Sequence, residues 1–211
     1  MNSILDLLQG NTGEQILSGL SQESGQSKDN TSKVVQMALP ILLGAMKRNS
    51  STDSGSEGLL QALDSKHDGS ILDQLGGFFT GGVDADQLAD GSGILGHVLG
   101  QSQGGVTNAI SKKSGVDTQS VARILTVLAP IVLGFLGKQK RQQQVADSSG
   151  LGSLLSGLSG GGSQQSMIES LLDGDDDGSV IDDIAGMFLG GNDSNSKSGG
   201  LGGLLGGFLK G

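Results

Sequence analysis

Two apolar stretches, each with a proline near its centre, constrain the fold of this chain more than any other feature. Ile124–Leu136 is the longest run able to bury a large apolar area, and Val34–Met46 has the same character. Pro130 follows Pro40 by 90 residues. The same spacing relates other short motifs of the two halves, so the sequence predicts a tandem duplication.

Each stretch is too short to cross a membrane, because it has about 13 apolar residues where a spanning helix needs roughly 20. Both are therefore predicted as core helices, and no transmembrane segment is expected. Proline lacks an amide hydrogen and clashes with the preceding turn, so each helix should kink at its proline or end a segment there. Helices that are apolar on nearly every face must be covered by other helices. The predicted fold is all-α, with two small helical units, each built around a proline-kinked apolar core helix.

The boundaries of these units follow from composition. Acidic residues and glycines between the two halves indicate a linker, and paired glycines close each unit. A polar segment and the run LGGLLGGFLKG follow the second unit. The Leu and Phe of this tail could dock on a groove or contact a membrane weakly, but terminal disorder or docking on the chain's own core is favoured. The predicted divisions are unit 1 at 1–82, an acidic linker at 83–93, unit 2 at 94–191 with a Gly/Ser-rich insertion near 142–166, and a Gly/Ser-rich tail at 192–211.

Helix-capping residues precede both core helices. Asp29, Asn30 or Thr31 is the predicted N-cap of the first, and Asp117 or Thr118 that of the second, because short polar side chains accept hydrogen bonds from the first helical amides.

The charge of the chain argues against a nucleic-acid partner. The net charge is −9 and the pI is about 4.5, whereas nucleic-acid binding generally uses a basic patch. Lys138, Lys140 and Arg141 form one short basic cluster, which is interpreted as complementing the dipole at the end of the second core helix.

The composition also limits the hydrophobic core. With 39 glycines and 2% aromatic residues, the core must be thin.

One Asp-rich segment resembles a calcium-binding loop. Alternate Asp residues followed by Gly178 match positions 1, 3, 5 and 6 of an EF-hand loop, in which carboxylates converge on one cation and glycine makes the turn. Ile184 departs from the pattern, because it stands where that loop has a bidentate Glu. The predicted ligands of a weak calcium site are Asp173, Asp175, Asp177, Ser179, Asp182 and Asp183.

A simpler interpretation remains open, in which Ser179 and Asp182 form a capping box at a helix start, as Ser70 and Asp73 would in the first unit. The first unit's own loop has Lys66 at a ligand position, which predicts a degenerate site held by an internal ion pair. His67 beside this loop is expected to be solvated rather than a zinc ligand.

The motifs ALPILLG at 38–44, LAPIVLG at 128–134 and LDGDDDGSVIDDI at 172–184 resemble the bacterial YidB-like family, known as domain of unknown function 937 (DUF937). The resemblance covers residues 1 to about 191 as two copies, and it implies an all-helical fold. It implies no catalytic residues, since the family has no assigned activity.

The sequence contains no catalytic constellation, since no serine lies in a nucleophile elbow and no glycine pair precedes a Lys-Ser/Thr step. The expected function is a non-enzymatic interaction or scaffolding module with one calcium loop and an unknown protein partner. Two alternatives remain: a metal-free structural protein that self-associates, and a helix-turn-helix-like nucleic-acid binder. No secretory signal peptide is visible, so the expected location is the cytoplasm, with an extracellular one left open.

Overall fold

The computed structural model describes residue 8 and residues 10–158, and the prediction of an all-α fold is confirmed over this part of the chain. The predicted calcium loop and the tail at 192–211 lie outside the described residues. The helices are α1 Gly10–Ser24, α2 Lys28–Asn49, α3 Asp53–Ser65, α4 Ser70–Asp73, α5 Leu75–Phe79, α6 Ala85–Leu99, α7 Gln103–Ser114, α8 Thr118–Gln142 and α9 Ser148–Leu158.

Helix α8 lies at the centre of the fold and contacts α1, α2, α3, α4, α6, α7 and α9. It contains the second apolar stretch, and α2 contains the first. Pro40 and Pro130 both lie inside unbroken helices, so neither helix ends a segment at its proline. A kink at either position stays a prediction.

Only α8 of the described helices is long and apolar enough to cross a bilayer. Its most apolar window has a mean hydropathy of 1.9, but 78% of that window is buried inside the protein. The core helix of a soluble protein has the same character, so length and composition alone do not make α8 a membrane span.

One of the two predicted caps is correct. Asp117 caps α8, since its Oδ1 accepts the Ser120 amide at 2.9 Å. Helix α2 begins earlier than predicted and is capped by Ser27, whose Oγ accepts the Asn30 amide at 3.2 Å. Asp29 and Asn30 therefore lie in the first turn of α2.

The segment 83–93, predicted as an acidic linker, is helical from Ala85 onward. Asp84 and Gln87 form a reciprocal capping box that starts α6. Gly91 lies so close to α8 that a Cβ there would collide with the Thr126 carbonyl. The acidic residues that suggested a linker instead cap this helix or line its surface.

The two predicted units share one hydrophobic core over the described residues. Leu63 and Leu75 from the first unit belong to the same buried cluster as Leu95 and Leu99 from the second. Glu23 also joins distant segments. Its Oε2 accepts a hydrogen bond from Arg123 Nη2 of α8 at 2.5 Å, and its Oε1 accepts one from the Val83 amide at 2.7 Å.

Candidate functional site

A groove of about 1080 Å³ lies between α3 and α6. Its apolar lining comes from four helices, α2, α3, α6 and α8. These side chains are Met46, Leu59, Ala62, Ile94, Val98 and Leu133. Most of the other lining residues are polar or charged, and concave sites that combine apolar and polar side chains are where proteins usually bind ligands or partner side chains.

The groove stays open because the facing surfaces of α3 and α6 carry small residues. Gly58 and Ala62 lie one turn apart on α3, and Ala89 and Gly93 lie one turn apart on α6. No atom of the described residues would lie within 4 Å of a Cβ placed on Gly58 or Gly93. Larger side chains at either position would therefore enter the groove.

A buried histidine and a carboxylate line one part of the groove. His67 Nε2 lies 3.4 Å from Asp90 Oδ2, and only 8% of the His67 side chain is exposed. Lys66 Nζ lies 3.9 Å from the other oxygen of Asp90. The sequence-based expectation of a solvated His67 is wrong, because the turn after α3 lies against α6 and α8.

Burial lowers the pKa of His67 from its ordinary value near 6.5. The Asp90 carboxylate opposes this shift, and the Lys66 ammonium adds to it. His67 is therefore neutral at pH 7 and can use its ring nitrogens as one donor and one acceptor.

The second histidine of the chain, His97, lines the same groove. Its Nδ1 lies 3.0 Å from the Gly93 carbonyl oxygen, which can only accept, so Nδ1 donates this hydrogen bond. Asn49 Nδ2 donates to the His97 and Val98 carbonyls at 2.7 and 3.2 Å, which fixes the end of α2 to α6. Sequence reasoning missed that both histidines line one groove, because 30 residues separate them and only the fold brings them there.

The loop between α3 and α4 corresponds to the degenerate metal site predicted in the first unit. Ion pairs do hold this loop in place, but Lys66 does not supply the cation, because its ammonium group faces Asp90 instead. The cations come from the basic cluster at the end of α8, which sequence reasoning had assigned to the helix dipole. The three ion pairs are Asp64–Lys140 at 2.5 Å, Asp68–Arg141 at 3.0 Å and Asp73–Lys138 at 3.4 Å.

The predicted capping box at Ser70 is absent, because Ser70 is the first residue of α4 and makes no side-chain cap. Asp68 Oδ1 accepts the Ser70 amide at 3.0 Å instead. This hydrogen bond, with the nearby Arg141 guanidinium, lowers the pKa of Asp68 below its ordinary value.

The predicted calcium ligands at 173–183 lie outside the described residues, so the structure does not place them. Within the residues it does describe, no three His, Asp or Glu side chains are grouped to hold a metal ion. The described part of the chain thus offers an apolar groove with two histidines and a neutralised acidic loop.

Over the described residues, the fold and the groove define an all-helical protein with a partly apolar cleft beside its central helix. The chain belongs to the bacterial protein family of unknown function DUF937, whose family model matches residues 6–139. This confirms the resemblance seen in the sequence. One match spans most of the first predicted unit and the first part of the second, so it does not divide the chain into two copies. Comparison with curated proteins and with solved structures gives no match.

Proposed function

We propose that this protein is a non-enzymatic interaction module that binds the apolar face of a partner helix in the groove between α3 and α6. The observation that carries this proposal is an open cleft whose lining combines apolar side chains from four helices with polar groups, and whose walls carry glycine and alanine. Amphipathic helices bind such grooves through side chains spaced three or four residues apart. Asp86 at the rim would favour a partner whose flanking residues are basic.

The polar groups of the groove support binding rather than catalysis. Among the described residues, no hydroxyl group hydrogen-bonds to the ring of either histidine, so His67 and Asp90 lack the nucleophile that a hydrolytic triad needs. His67 and Asp90 instead connect the turn after α3 to α6, which holds one end of the groove together.

Two glycines of α6 provide a matched test of this proposal. Gly93 lines the groove and Gly96 does not, yet both are exposed and a Cβ on either would meet no described atom within 4 Å. Gly93→Glu and Gly96→Glu therefore change charge and helix propensity equally. Only Gly93→Glu places a carboxylate in the groove.

The uncharged apolar dye Nile red is a suitable first probe, followed by a pull-down from the source bacterium with each variant as bait. Gly93→Glu should lose dye binding and any retained partner, while Gly96→Glu should keep both. Equal binding by the two variants would reject the groove as the binding site.

We also propose that residues 173–183 bind one calcium ion weakly. What supports this is the EF-hand-like spacing of the Asp residues together with a contrast in charge. In the first loop, Lys140 and Arg141 neutralise Asp64 and Asp68. The residues 90 positions before these cations are Ser50 and Ser51, so a second loop placed in the same way would lack that neutralisation.

Calcium affinity should fall near the weak range of about 10⁻⁴ to 10⁻³ M, because a bidentate Glu is missing. Binding to the folded state alone would stabilise it by about 0.4–1.4 kcal/mol at 1 mM calcium over this range of Kd. Millimolar calcium should therefore raise Tm, and Asp175→Asn with Asp177→Asn should remove the rise. An equal rise in both proteins would exclude this loop, and no rise in either would favour the metal-free alternative.

A duplicated architecture is also part of the proposal. Helices α2 and α8 begin 90 residues apart, as Lys28 and Thr118, and α1 and α7 end 90 residues apart. Both of those ends are followed by a glycine with positive φ, Gly25 at +68° and Gly115 at +73°. These equal spacings support an internal repeat in which α2 and α8 are equivalent.

The remaining alternatives have separate tests. Sedimentation showing a stable oligomer whose assembly is unaffected by Gly93→Glu would favour a self-associating structural role. Salt-sensitive retention on DNA would favour the nucleic-acid binder in spite of the net charge of −9. A cytoplasmic location remains part of the proposal, and fractionation of the source bacterium would test it.

A further inference from the structure

The two equivalent core helices are covered to different extents along one face. On α8 this face consists of Val127, Pro130, Gly134 and Gly137, all of them buried. The residues 90 positions earlier on α2 are more exposed: the first three are half-buried and the last is exposed. They are Met37, Pro40, Gly44 and Lys47.

The element that covers the Gly134 and Gly137 end of this face of α8 is the turn from His67 to Ile71. Ile71 lies directly over Gly134, so that a Cβ on Gly134 would collide with Ile71 Cγ2. One turn further along α8, a Cβ on Gly137 would collide with the His67 carbonyl. The two glycines thus form the notch that receives the turn.

The notch on α2 has no such cover from the described residues. No atom of those residues would lie within 4 Å of a Cβ on Gly44. The covering sequence, HDGSILD at 67–73, has a close copy in DDGSVID at 176–182. In this copy Val180 takes the place of Ile71 and keeps a branched apolar side chain.

The chain can bring this copy to α2. Helix α9 packs against α2 and α3, and its last residue is Leu158. The 17 residues between Leu158 and Asp176 could span up to about 60 Å when extended. Helix α2, with 22 residues, is only about 33 Å long.

We propose that residues 176–182 dock on the exposed face of α2, with Val180 over Gly44 as Ile71 lies over Gly134. The occupant is thus the chain's own second Asp-Gly-Ser turn, and the two core helices are covered in the same manner. This inference rests on the proposed internal repeat and not on the α3–α6 groove.

Disulfide trapping can test the contact directly, because the chain has no cysteine. The positive control is Ile71→Cys with Gly134→Cys, since a Cβ on Gly134 would lie 3.8 Å from Ile71 Cβ. That separation matches the usual Cβ–Cβ distance of a disulfide, about 3.8 Å. The replacement of Ile71 also removes the Cγ2 atom that would obstruct the new side chain.

The test pair is Gly44→Cys with Val180→Cys in the full chain, and the matched negative pair is Gly96→Cys with Val180→Cys. Under mild oxidation the test pair should lose both free thiols and remain monomeric, as the positive control does. The negative pair should keep its thiols. Circular dichroism of the reduced proteins would check that each pair still folds.

Two results would overturn the proposal. A disulfide-linked dimer from the test pair would show that a second copy of the chain occupies the α2 face. Free thiols in the test pair, with a complete bond in the positive control, would show that the turn does not dock there. In a second measurement, Gly44→Leu should make residues 176–182 more susceptible to protease than in the wild type, and unchanged susceptibility would contradict the contact.

Discussion

A single buried hydroxyl on α2 allows a sharp test of how this core is stabilised. Thr31 is fully buried, and its Oγ1 has no hydrogen-bond partner among the described residues. Val121 occupies the position 90 residues later, at the same place on α8, and is also fully buried. Thr31→Val keeps the shape of the side chain and removes the unsatisfied group.

We expect Thr31→Val to stabilise the protein. An unsatisfied buried polar group costs roughly 1–3 kcal/mol, while Thr and Val have similar helix propensities. We expect a gain in stability at the lower end of that range, because Thr31 lies near the start of α2, where the helix can shift slightly to reduce the cost of the buried hydroxyl. A gain of about 1 kcal/mol should raise Tm by about 2–4 °C in a protein of this size.

Thr107→Val is the matched control. Thr107 is also nearly buried, but its Oγ1 donates to the Gln103 carbonyl at 2.8 Å. The same substitution at Thr107 removes a hydrogen bond and should lower the free energy of unfolding by roughly 0.5–1 kcal/mol. Urea unfolding followed by circular dichroism measures both changes. A Thr31→Val variant that is no more stable than the wild type would refute the reasoning, because its hydroxyl would then have a partner.

Three further predictions concern groups that join the helices. The pKa of His67 is lowered in the folded state, so the unfolded chain binds more protons than the folded chain as the pH falls through about 6.5. The free energy of unfolding should therefore fall on acidification from about pH 7.5 to 5.5. His67→Gln should reduce this dependence on pH, as measured by urea unfolding at each pH. Glu23→Gln, which removes the charge paired with Arg123, should cost roughly 1–2 kcal/mol by the same method; no loss would mean that this ion pair contributes nothing net. Gly134→Ala should destabilise by roughly 1–3 kcal/mol because its methyl group meets Ile71, whereas Gly96→Ala, in open space, should not lower Tm.

The two core helices could be predicted because a helix that is buried over most of its surface requires a long apolar run, which is visible in the sequence without tertiary information. Val34–Met46 and Ile124–Leu136 are apolar almost throughout, and they lie in α2 and α8. The Ser-Gly turns at 24–25 and 114–115 were predictable for a similar reason, since glycine readily adopts the positive φ found there.

The first half of helix α6 was missed because it has the composition of a loop. Asp84, Asp86 and Asp90 together with nearby glycines suggest a linker, yet Asp84 and Gln87 carry the capping-box pattern that marks a helix start. Leu88 also begins the apolar spacing that continues to the buried Leu95. Local capping chemistry was thus the better guide, and the acidic composition was misleading.

The groove could not be predicted, because its residues come together only through packing. His67 and Asp90 are 23 residues apart and meet because the turn after α3 lies against α6. Glycines such as Gly93 suggest disorder in a sequence, whereas here they sit on a helix and leave space.

The difference in charge between the two loops leads to a final prediction about calcium. In the first loop, Asp64, Asp68 and Asp73 each face a cation of α8, and the residues 109 positions later are Asp173, Asp177 and Asp182. If the second loop docks on α2 as proposed, its carboxylates meet Arg48, Ser50 and Ser51 where the first loop meets Lys138, Lys140 and Arg141.

The double variant Ser50→Lys and Ser51→Arg would restore the missing cations. Opposite charges nearby stabilise carboxylates without a metal, so this variant should be more stable than the wild type in the absence of calcium and should gain less from millimolar calcium. Ser148→Lys with Ser149→Arg, which adds the same charges at the start of α9, is the control and should leave the calcium response of Tm unchanged. A full calcium response in the Ser50→Lys, Ser51→Arg protein would mean that the second loop does not lie at the end of α2, because cations placed there would then be too far from its carboxylates to compete with the metal.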